Sequence, residues 1–327
     1  MKQINWGIIG CGDVTEVKSG PAFSKINNSF LVAVMRRDAA KAADYAQRHQ
    51  VSKWYNDAAA LINDPAVNAI YIATPPSSHK DLTLMALAAG KPVYVEKPMS
   101  VDAVSAEEMA SFARQKNLKL SVAHYRREQP KFKKILALLQ DKVIGDTRLV
   151  QLNYYRRPLT KDELAEPKTA WRVSPETSGG GLFHDIAPHQ LDLMLYFFGE
   201  AGEVTGHAEN KFNNYNAADL VTGEIVFNSE IVFNGIWDFS TNPFAEKDEI
   251  EITGTKGKII FSAFVSNIIT VITNTGTETF SFDDLQHVQQ PMIQKVVQYF
   301  LGESENPCSA EDGVTVMKWI DAFTKIA

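Results

Sequence analysis

A glycine-rich turn near the start of the chain places the strongest constraint on the fold. The apolar run Ile4–Ile9 predicts a short strand, and Gly10 and Gly12 follow it directly. This spacing lets the backbone turn tightly and approach a pyrophosphate, while the N–H groups of Asp13 and Val14 open the next helix and favour negative charge. The turn therefore predicts a nucleotide site at the start of a parallel α/β sheet.

Two features of this turn depart from the simplest dinucleotide motif. Thr15 stands where a third glycine is usual, and Gly20-Pro21 interrupts the expected helix. Both leave the shape of the phosphate loop open, and a glycine turn without any ligand is the alternative interpretation.

Strand and helix signals alternate through residue 123, which predicts βαβ units. The strand signals are Ile4–Ile9, Leu31–Met35, Ala69–Ala73, Val93–Val95 and Leu120–Ala123. The helix signals are Ala39–His49, Leu82–Ala89 and Val101–Asn117.

The pattern changes after residue 123, where β-rich runs separated by turns predict one large, mostly antiparallel open sheet. The strand signals are Arg148–Tyr155, Val204–Ala208, Leu220–Phe227, Glu230–Phe239, Glu249–Thr253, Lys258–Phe261, Ile268–Thr273 and Glu278–Phe282. The helix signals are Phe132–Gln140, Asp185–Phe198, Met292–Leu301 and Ala310–Thr324. The fold class is therefore α/β, with a Rossmann domain followed by an α+β domain.

Composition narrows the function classes. A chain of 327 residues with 45% hydrophobic content can bury the cores of roughly two domains. The net charge of −6 and the lack of a long basic run make nucleic acid an unexpected partner. No apolar run is long enough to span a bilayer, and Met1–Gly10 lacks the features of a signal peptide. Cys11 and Cys308 are far apart and in no metal spacing, so we expect a cytoplasmic protein.

The end of the second strand bears on the choice of cofactor. An NAD site usually places a carboxylate there to bind the ribose 2′-hydroxyl, but this strand ends in Arg36-Arg37. The two guanidinium groups could hold a 2′-phosphate, which predicts a preference for NADP(H). Asp38 follows slightly late and keeps NAD(H) possible, and two solvated surface arginines are the alternative.

Two sequence patterns suggest proton chemistry. Glu96-Lys97-Pro98 follows a strand at the carboxyl edge of the parallel sheet, where such sheets bind ligands, and Lys97 could bond a substrate oxygen. Asp185 and His189 are one helical turn apart, so the carboxylate can hold the imidazole in one tautomer. A surface Lys–Glu pair and a core histidine with a capping aspartate are the alternatives.

Together these motifs resemble the Gfo/Idh/MocA oxidoreductase family. The shared features, in chain order, are the glycine loop at 7–12, Thr74-Pro75-Pro76 with Ser77, Ser78 and His79, Glu96-Lys97-Pro98, Trp171-Arg172, the triple glycine 179–181, Asp185-x-x-x-His189 and Glu311-Asp312-Gly313.

The resemblance implies a cofactor-binding Rossmann domain over residues 1–122 and a substrate-binding α+β domain over residues 123–327. The open sheet of the second domain would join subunits in a homodimer or homotetramer. Lys97 would be the catalytic lysine, with Asp185 and His189 as its partners and a cis bond before Pro98. The remaining implied site residues are Thr74, Pro75, His79, Glu96 and Lys97 for the cofactor and Lys97, Tyr125, Trp171, Arg172, Asp185 and His189 for the substrate. Trp171-Arg172 is similar to the substrate-facing pair of the 1,5-anhydrofructose reductases.

The implied activity is hydride transfer between a nicotinamide and a hydroxyl or ketone of a sugar, inositol or related polyol. Three alternatives stay open at this point. They are an oxidoreductase of a non-sugar substrate such as a dihydrodiol, a glycosidase that recycles bound NAD, and a regulator that only senses the cofactor.

Overall fold

A computed structural model describes residues 2–324, which form two units. The first comprises residues 2–128 and 285–317, and the second comprises residues 129–284 and 318–324. The chain passes from the first unit to the second after Glu128, and residues 285–317 belong to the first unit again. They do so because they pack on its sheet: the Phe300 and Trp6 ring centroids are 5.5 Å apart, and the Cys308 carbonyl accepts a hydrogen bond from the Val122 N–H.

The first unit contains a six-stranded parallel sheet in the order β3-β2-β1-β4-β5-β6, the order of a dinucleotide-binding fold. Its strands are β1 Ile4–Ile9, β2 Ser29–Met35, β3 Lys53–Tyr55, β4 Ala69–Ile72, β5 Val93–Val95 and β6 Leu120–Val122. Its helices are α1 Asp13–Val17, α2 Ala39–Arg48, α3 Ala58–Ile62, α4 His79–Ala88 and α5 Ala103–Lys116. Because all strands run the same way, the segments after β1, β2, β4, β5 and β6 lie at one edge of this sheet.

The second unit contains an eight-stranded sheet, mostly antiparallel, in which only β7 and β10 are recorded as a parallel pair among the described strands. In spatial order it reads β14-β13-β12-β11-β7-β10-β9-β8. The strands are β7 Thr147–Tyr155, β8 Ala201–Glu209, β9 Leu220–Phe227, β10 Val232–Asp238, β11 Lys247–Gly254, β12 Gly257–Phe261, β13 Ile268–Thr273 and β14 Gly276–Ser281. The predicted fold class is confirmed.

Helices complete both units. They are α6 Pro130–Gln140, α7 Lys161–Ala165, α8 Pro167–Ala170, α9 Pro175–Ser178, α10 Gly181–Phe198, α11 Gln290–Leu301 and α12 Ala310–Thr324. The long α10 packs on the buried face of the large sheet, where the Phe183 and Trp237 rings meet edge to face at 5.1 Å and Trp237 Nε1 donates to Gln190 Oε1 at 2.6 Å. No helix within residues 2–324 is long and apolar enough to cross a membrane.

The sequence suggested that Val226, Ile231, Phe233, Ile236 and Trp237 form an exposed apolar face of the large sheet. That grouping is wrong for two of them, since Phe233 and Trp237 are fully buried while Ile236 is 38% exposed. Successive residues of a strand point to opposite faces, so Ile236 cannot share a face with its neighbour Trp237. Val226 and Ile231 are half-buried.

Candidate active site

The glycine loop after β1 has the shape that a phosphate group requires. Gly10 has a φ of +94°, and a Cβ there would lie 2.8 Å from the Ala73 carbonyl carbon and the Thr74 nitrogen at the end of β4. A Cβ on Gly12 would meet nothing nearer than the Gly10 oxygen at 3.9 Å. The space above Gly12 is therefore open, and the N–H groups at the start of α1 precede its first helical hydrogen bond. These features fit a dinucleotide pyrophosphate.

The position of the Thr15 carbonyl explains why residue 20 is a glycine. The Thr15 carbonyl accepts a hydrogen bond from the Tyr45 hydroxyl at 2.8 Å, and a Cβ on Gly20 would lie 2.2 Å from that same carbonyl oxygen. Only a residue without a side chain fits there. The helix consequently ends at Val17, and a 3₁₀ turn, Gly20–Lys25, continues the chain. The predicted interruption of the helix is present, and it leaves Gly10 and Gly12 in place.

Arg36 reaches the glycine loop from the end of β2. Its Nη1 donates to the Cys11 carbonyl at 3.2 Å, whereas Arg37 is exposed. Asp38 has a different task, because its carboxylate caps α2 by accepting the Lys41 N–H at 3.1 Å. The backbone bond from Lys41 lowers the pKa of Asp38. Of the three residues, Arg36 is therefore the one directed at the loop, and the Asp38 carboxylate serves the helix.

His79 holds two loops of the first unit together. Its Nε2 lies 2.8 Å from the Thr74 carbonyl after β4, and its Nδ1 lies 3.0 Å from the Pro98 carbonyl after β5. The ring is fully buried, and that burial lowers its pKa. The sequence predicts His79 as a cofactor contact, and in the structure its ring bridges the loops that carry Thr74, Pro75 and Lys97.

Lys97 lies at the carboxyl edge of the parallel sheet, half-buried, with the expected cis bond before Pro98. Glu96 beside it is buried, and its oxygens accept from the Tyr71 hydroxyl at 2.5 Å, from Gln289 Nε2 at 2.7 Å and from the Lys97 N–H at 3.2 Å. Burial and the nearby Glu96 charge raise the pKa of Tyr71 well above its usual value. Glu96 thus anchors the backbone of Lys97, and Gln289 holds Glu96 in turn, a contact that the sequence did not indicate.

The segment after β6 adds residues that sequence reasoning did not single out. His124 is buried, and its pKa lies well below the ordinary value because of desolvation and the nearby Arg127 and Lys97 charges. Arg127 Nη1 donates to Asp312 Oδ2 at 2.9 Å, and that carboxylate also accepts the Ser309 N–H at the start of α12. Their position after a strand at the carboxyl edge was the available signal. The predicted substrate residue Tyr125 sits between them and is 6% exposed.

In the second unit, Arg172 links the Trp171-Arg172 pair to α10. Its Nε donates to Asp185 Oδ2 at 3.0 Å, and its guanidinium carbon lies 4.5 Å from the centre of the Trp171 ring. Arg172 also donates to the Lys168 carbonyl. The structure therefore unites three of the predicted substrate residues in one cluster.

His189 lies one turn beyond Asp185 on α10 and is 6% exposed. Its ring packs edge to face on Phe264, with centroids 5.7 Å apart. Phe264 belongs to a loop after β12 that the sequence analysis passed over, since a lone phenylalanine in a loop carries no functional pattern.

The triple glycine before α10 is required by the protein's own packing. A Cβ on Gly180 would lie 2.1 Å from the His184 ring, and one on Gly181 would lie 2.5 Å from the Ala217 Cβ. Burial lowers the pKa of His184 to about 4. The protein's own packing therefore accounts for the glycines at positions 180 and 181.

Comparisons with known proteins agree with this arrangement. Residues 4–124 match a family model described as an oxidoreductase family with an NAD-binding Rossmann fold, and residues 132–260 match the GFO/IDH/MocA C-terminal domain. The chain belongs to the Gfo/Idh/MocA oxidoreductase family. The family prediction is confirmed, and the protein is an NAD-binding oxidoreductase by family.

Individual members of the family differ in how similar they are to this chain. Oxidoreductase P35 of Formosa agariphila is 46% identical over 321 residues, which cover 98% of each chain. A 1,5-anhydro-D-fructose reductase of Ensifer adhaerens is 26% identical over 257 residues, covering 78% of this chain and 74% of the relative. A solved levoglucosan dehydrogenase, in complex with NADH and levoglucosan, superposes with a TM-score of 0.87 at 21% identity and covers 98% of this chain and 96% of that chain. At this low sequence identity, the structural similarity supports the fold alone.

Proposed function

We propose that this protein transfers a hydride between NADP(H) and a hydroxyl or ketone carbon of a sugar, inositol or related polyol. The observation that carries the proposal is that Lys97 is anchored at the same sheet edge as a glycine loop with open space above Gly12. The names of the relatives, which include a 1,5-anhydro-D-fructose reductase and a scyllo-inositol 2-dehydrogenase, support a sugar-like substrate.

We assign the cofactor to the residues around the glycine loop and the neighbouring strand ends. They are Gly10, Gly12, Asp13, Val14, Arg36, Arg37, Thr74, Pro75 and Lys97, with His79 and Glu96 as positioning residues. When bound, the nicotinamide supplies or accepts the hydride. The protein must then move a proton at the substrate oxygen and stabilise its charge.

His189 is the group we assign to proton transfer, because an imidazole changes its protonation near neutral pH more readily than a lysine. Lys97 stabilises the developing charge on the oxygen, and the two groups can exchange these roles. We assign Asp185, one helical turn from His189, to holding the imidazole in one tautomer, and it also forms an ion pair with Arg172. Tyr125, Trp171 and Arg172 complete the proposed substrate contacts.

The catalytic assignment is tested by Lys97→Ala and His189→Ala. General acid–base groups contribute about 10²–10⁴-fold, so each variant should lose that much kcat on a substrate found by screening sugars and polyols in both directions. Cofactor affinity, measured by NADPH fluorescence, should hardly change, because neither residue is assigned to the phosphates or the adenine. Lys80→Ala and His207→Ala remove residues of the same types at exposed ion pairs and should leave kcat unchanged. Near wild-type turnover by both active-site variants would overturn the assignment.

Cofactor choice is tested separately by titrating the protein with NADP(H) and NAD(H). Charge-assisted contacts contribute about 1.5–3 kcal/mol each, so Arg36→Ala should weaken NADP(H) binding by roughly 10- to 150-fold and leave NAD(H) binding nearly unchanged. Asp38→Ala should keep the preference, because that carboxylate caps α2. NAD(H) binding as tight as NADP(H) binding in the wild type would refute the preference.

One alternative has a specific observation in its favour. A trans-1,2-dihydrobenzene-1,2-diol dehydrogenase of Xenopus laevis is 28% identical over 291 residues. A cyclic diol that is not a sugar therefore belongs in the substrate screen.

A further inference from the structure

The loop Ser262–Ser266, between β12 and β13, is held by the half-buried carboxylate of Asp248. Asp248 Oδ1 accepts the Ala263 N–H at 3.1 Å, and its Oδ2 accepts the Phe264 N–H at 2.6 Å, the Val265 N–H at 3.0 Å and the Ser262 hydroxyl at 2.7 Å. Three successive backbone N–H groups thus converge on one anion, a geometry that fixes the conformation of the loop.

Lys131 of α6 holds the same loop at its two ends. Its Nζ is buried and donates to the Ser262 and Ser266 carbonyls at 2.5 Å each. The Asp248 carboxylate therefore accepts hydrogen bonds from the N–H groups of the loop, and the Lys131 ammonium group donates to the carbonyl groups at its ends. Such a loop keeps its side chains in place more firmly than its short length would suggest.

The residue that this loop presents is Phe264. Its neighbours Ser262 and Ala263 are buried, whereas Phe264 is only half-buried. Its ring meets His189 edge to face at 5.7 Å and Tyr154 at 5.6 Å. A partly exposed aromatic ring is thus held rigidly against the imidazole to which we assign proton transfer.

We propose that Phe264 is a specificity-determining residue that selects cyclic over open-chain polyols, an inference that rests on the proposed function. The C–H groups on one face of a sugar or inositol ring form a flat apolar surface that can bury itself on an aromatic ring. An open-chain polyol presents such a surface only after several of its bonds lose rotational freedom. The ring beside His189 therefore favours substrates whose reacting carbon belongs to a ring.

The experiment compares Phe264→Ala, Phe264→Leu and Phe264→Tyr with the wild type. The probes are levoglucosan, myo-inositol and 1,5-anhydro-D-glucitol as cyclic compounds, and sorbitol and xylitol as open-chain compounds. Losing a buried aromatic contact weakens binding by about 10- to 100-fold, so Phe264→Ala should lower kcat/KM by that factor for the cyclic compounds, mainly through KM. The open-chain compounds should change by less than about threefold. Phe264→Tyr keeps the ring and should retain the selectivity of the wild type. Phe264→Leu should give a selectivity between those of Phe264→Ala and Phe264→Tyr.

Two further variants separate the ring from the fold. Phe244→Ala removes a fully exposed phenylalanine of the same unit and should leave the ratio of cyclic to open-chain kcat/KM unchanged. Asp248→Asn keeps the shape of the anchor but not its charge, and should shift the same ratio in the direction of Phe264→Ala while the melting temperature reports folding. Equal losses for both substrate groups, or a loss in kcat alone, would overturn the proposal.

Failure of the proposed function gives a different result. If the wild type oxidises none of the probes, the proposed function fails, and calorimetric titration of the cofactor-loaded protein then decides the role of Phe264. Cyclic compounds that bind the wild type but bind Phe264→Ala at least tenfold more weakly support it. Absence of cyclic-compound binding by the wild type, or equal binding by both, overturns it.

Discussion

Glu16 on α1 is the centre of an ion-pair cluster beside the glycine loop. Arg48 donates to both of its oxygens, at 2.8 and 2.9 Å, and His49 Nε2 lies 2.8 Å from one of them. These contacts, the Arg48 hydrogen bonds first, lower the pKa of Glu16 to about 2 from an ordinary value of 4.5. The two-pronged geometry is stronger than that of most surface pairs, although the partly exposed side chains weaken it.

Glu16→Gln should therefore destabilise the protein by about 1 kcal/mol at pH 7. Because the folded pKa lies below the unfolded one, the stabilisation is fully present above about pH 4.5 and is lost as pH falls towards 2. Urea unfolding at pH 7, 4.5 and 3 measures the difference in the free energy of unfolding between the wild type and the variant. This gap should be smallest at pH 3. Glu203→Gln, on an exposed position of β8, is the control. A gap that stays constant from pH 7 to pH 3 would contradict this account.

At the same scale, residue types could be predicted from the sequence but their partners could not. The sequence identified Asp185 and Arg172 separately, and only the fold shows that they form an ion pair across 13 positions of the chain. Asp38 was kept as a ribose contact because sequence distance alone does not reveal that it caps α2. Phe264 could not be predicted as a site residue, because its importance comes from its contact with the His189 ring.

A row of three glycines crosses the large sheet. Gly206, Gly223 and Gly235 are cross-strand partners on β8, β9 and β10. A Cβ on Gly223 would lie 2.3 Å from the Phe323 ring, and one on Gly206 would lie 2.6 Å from the Phe323 Cα. Gly206 and Gly223 thus form a depression into which the end of α12 packs, so these two glycines allow the close approach of helix and sheet.

Gly223→Ala should destabilise the protein by about 1–3 kcal/mol, the usual cost of extra volume in a packed core. The same substitution in a Phe323→Leu background should cost less, because the ring atoms that the new methyl would meet are gone. Both are measured by urea unfolding, with Glu224→Ala at the next, exposed position as control. A wild-type stability for Gly223→Ala, or an equal cost in both backgrounds, would show that the depression does not constrain the sheet.

Elements with a long periodic signal were predicted well, and short ones were not. The observed bounds of α12, Ala310–Thr324, were predicted correctly because apolar positions recur over the whole helix. The three residues of β3 and the five of α1 are too short for any period to show. Helix α10 begins at Gly181, four residues before the predicted Asp185. Side chains at positions 180 and 181 would collide with His184 and Ala217, so the packing requires glycines there although intrinsic helix propensity disfavours them.

At the scale of the whole molecule, the sequence predicted two parts but not the path of the chain between them. Residues 285–317 return to the first unit, where Gln289 bonds Glu96 across 193 positions. Such a contact leaves no local sequence pattern, because it does not depend on the residues next to Glu96 or Gln289 in the chain. The domain prediction of 1–122 and 123–327 therefore describes where the sequence pattern changes, and the compact units follow the long-range packing.

The face of the large sheet that does not carry Phe233 and Trp237 is where we expect this chain to associate. Ile236 is 38% exposed there, and Val232 and Leu149, cross-strand partners on the same face, are half-buried. Side chains such as Asn234 and Gln151 alternate with them, which gives a mixed surface typical of subunit contacts. Family resemblance supports a homodimer or homotetramer through this sheet.

Light scattering at about 10 µM should thus give two or four times the chain mass of 36.3 kDa. Ile236→Arg places a charge in the middle of the face and should shift the protein towards monomer, because burying an unpaired charge costs several kcal/mol. Val104→Arg, at a 68% exposed position of α5 in the other unit, should leave the assembly unchanged. A monomeric wild type would exclude the interface, and equal dissociation by both variants would place the contact elsewhere or show a general effect of added charge. Dissociation by Ile236→Arg alone would assign the open face of the sheet to the subunit contact.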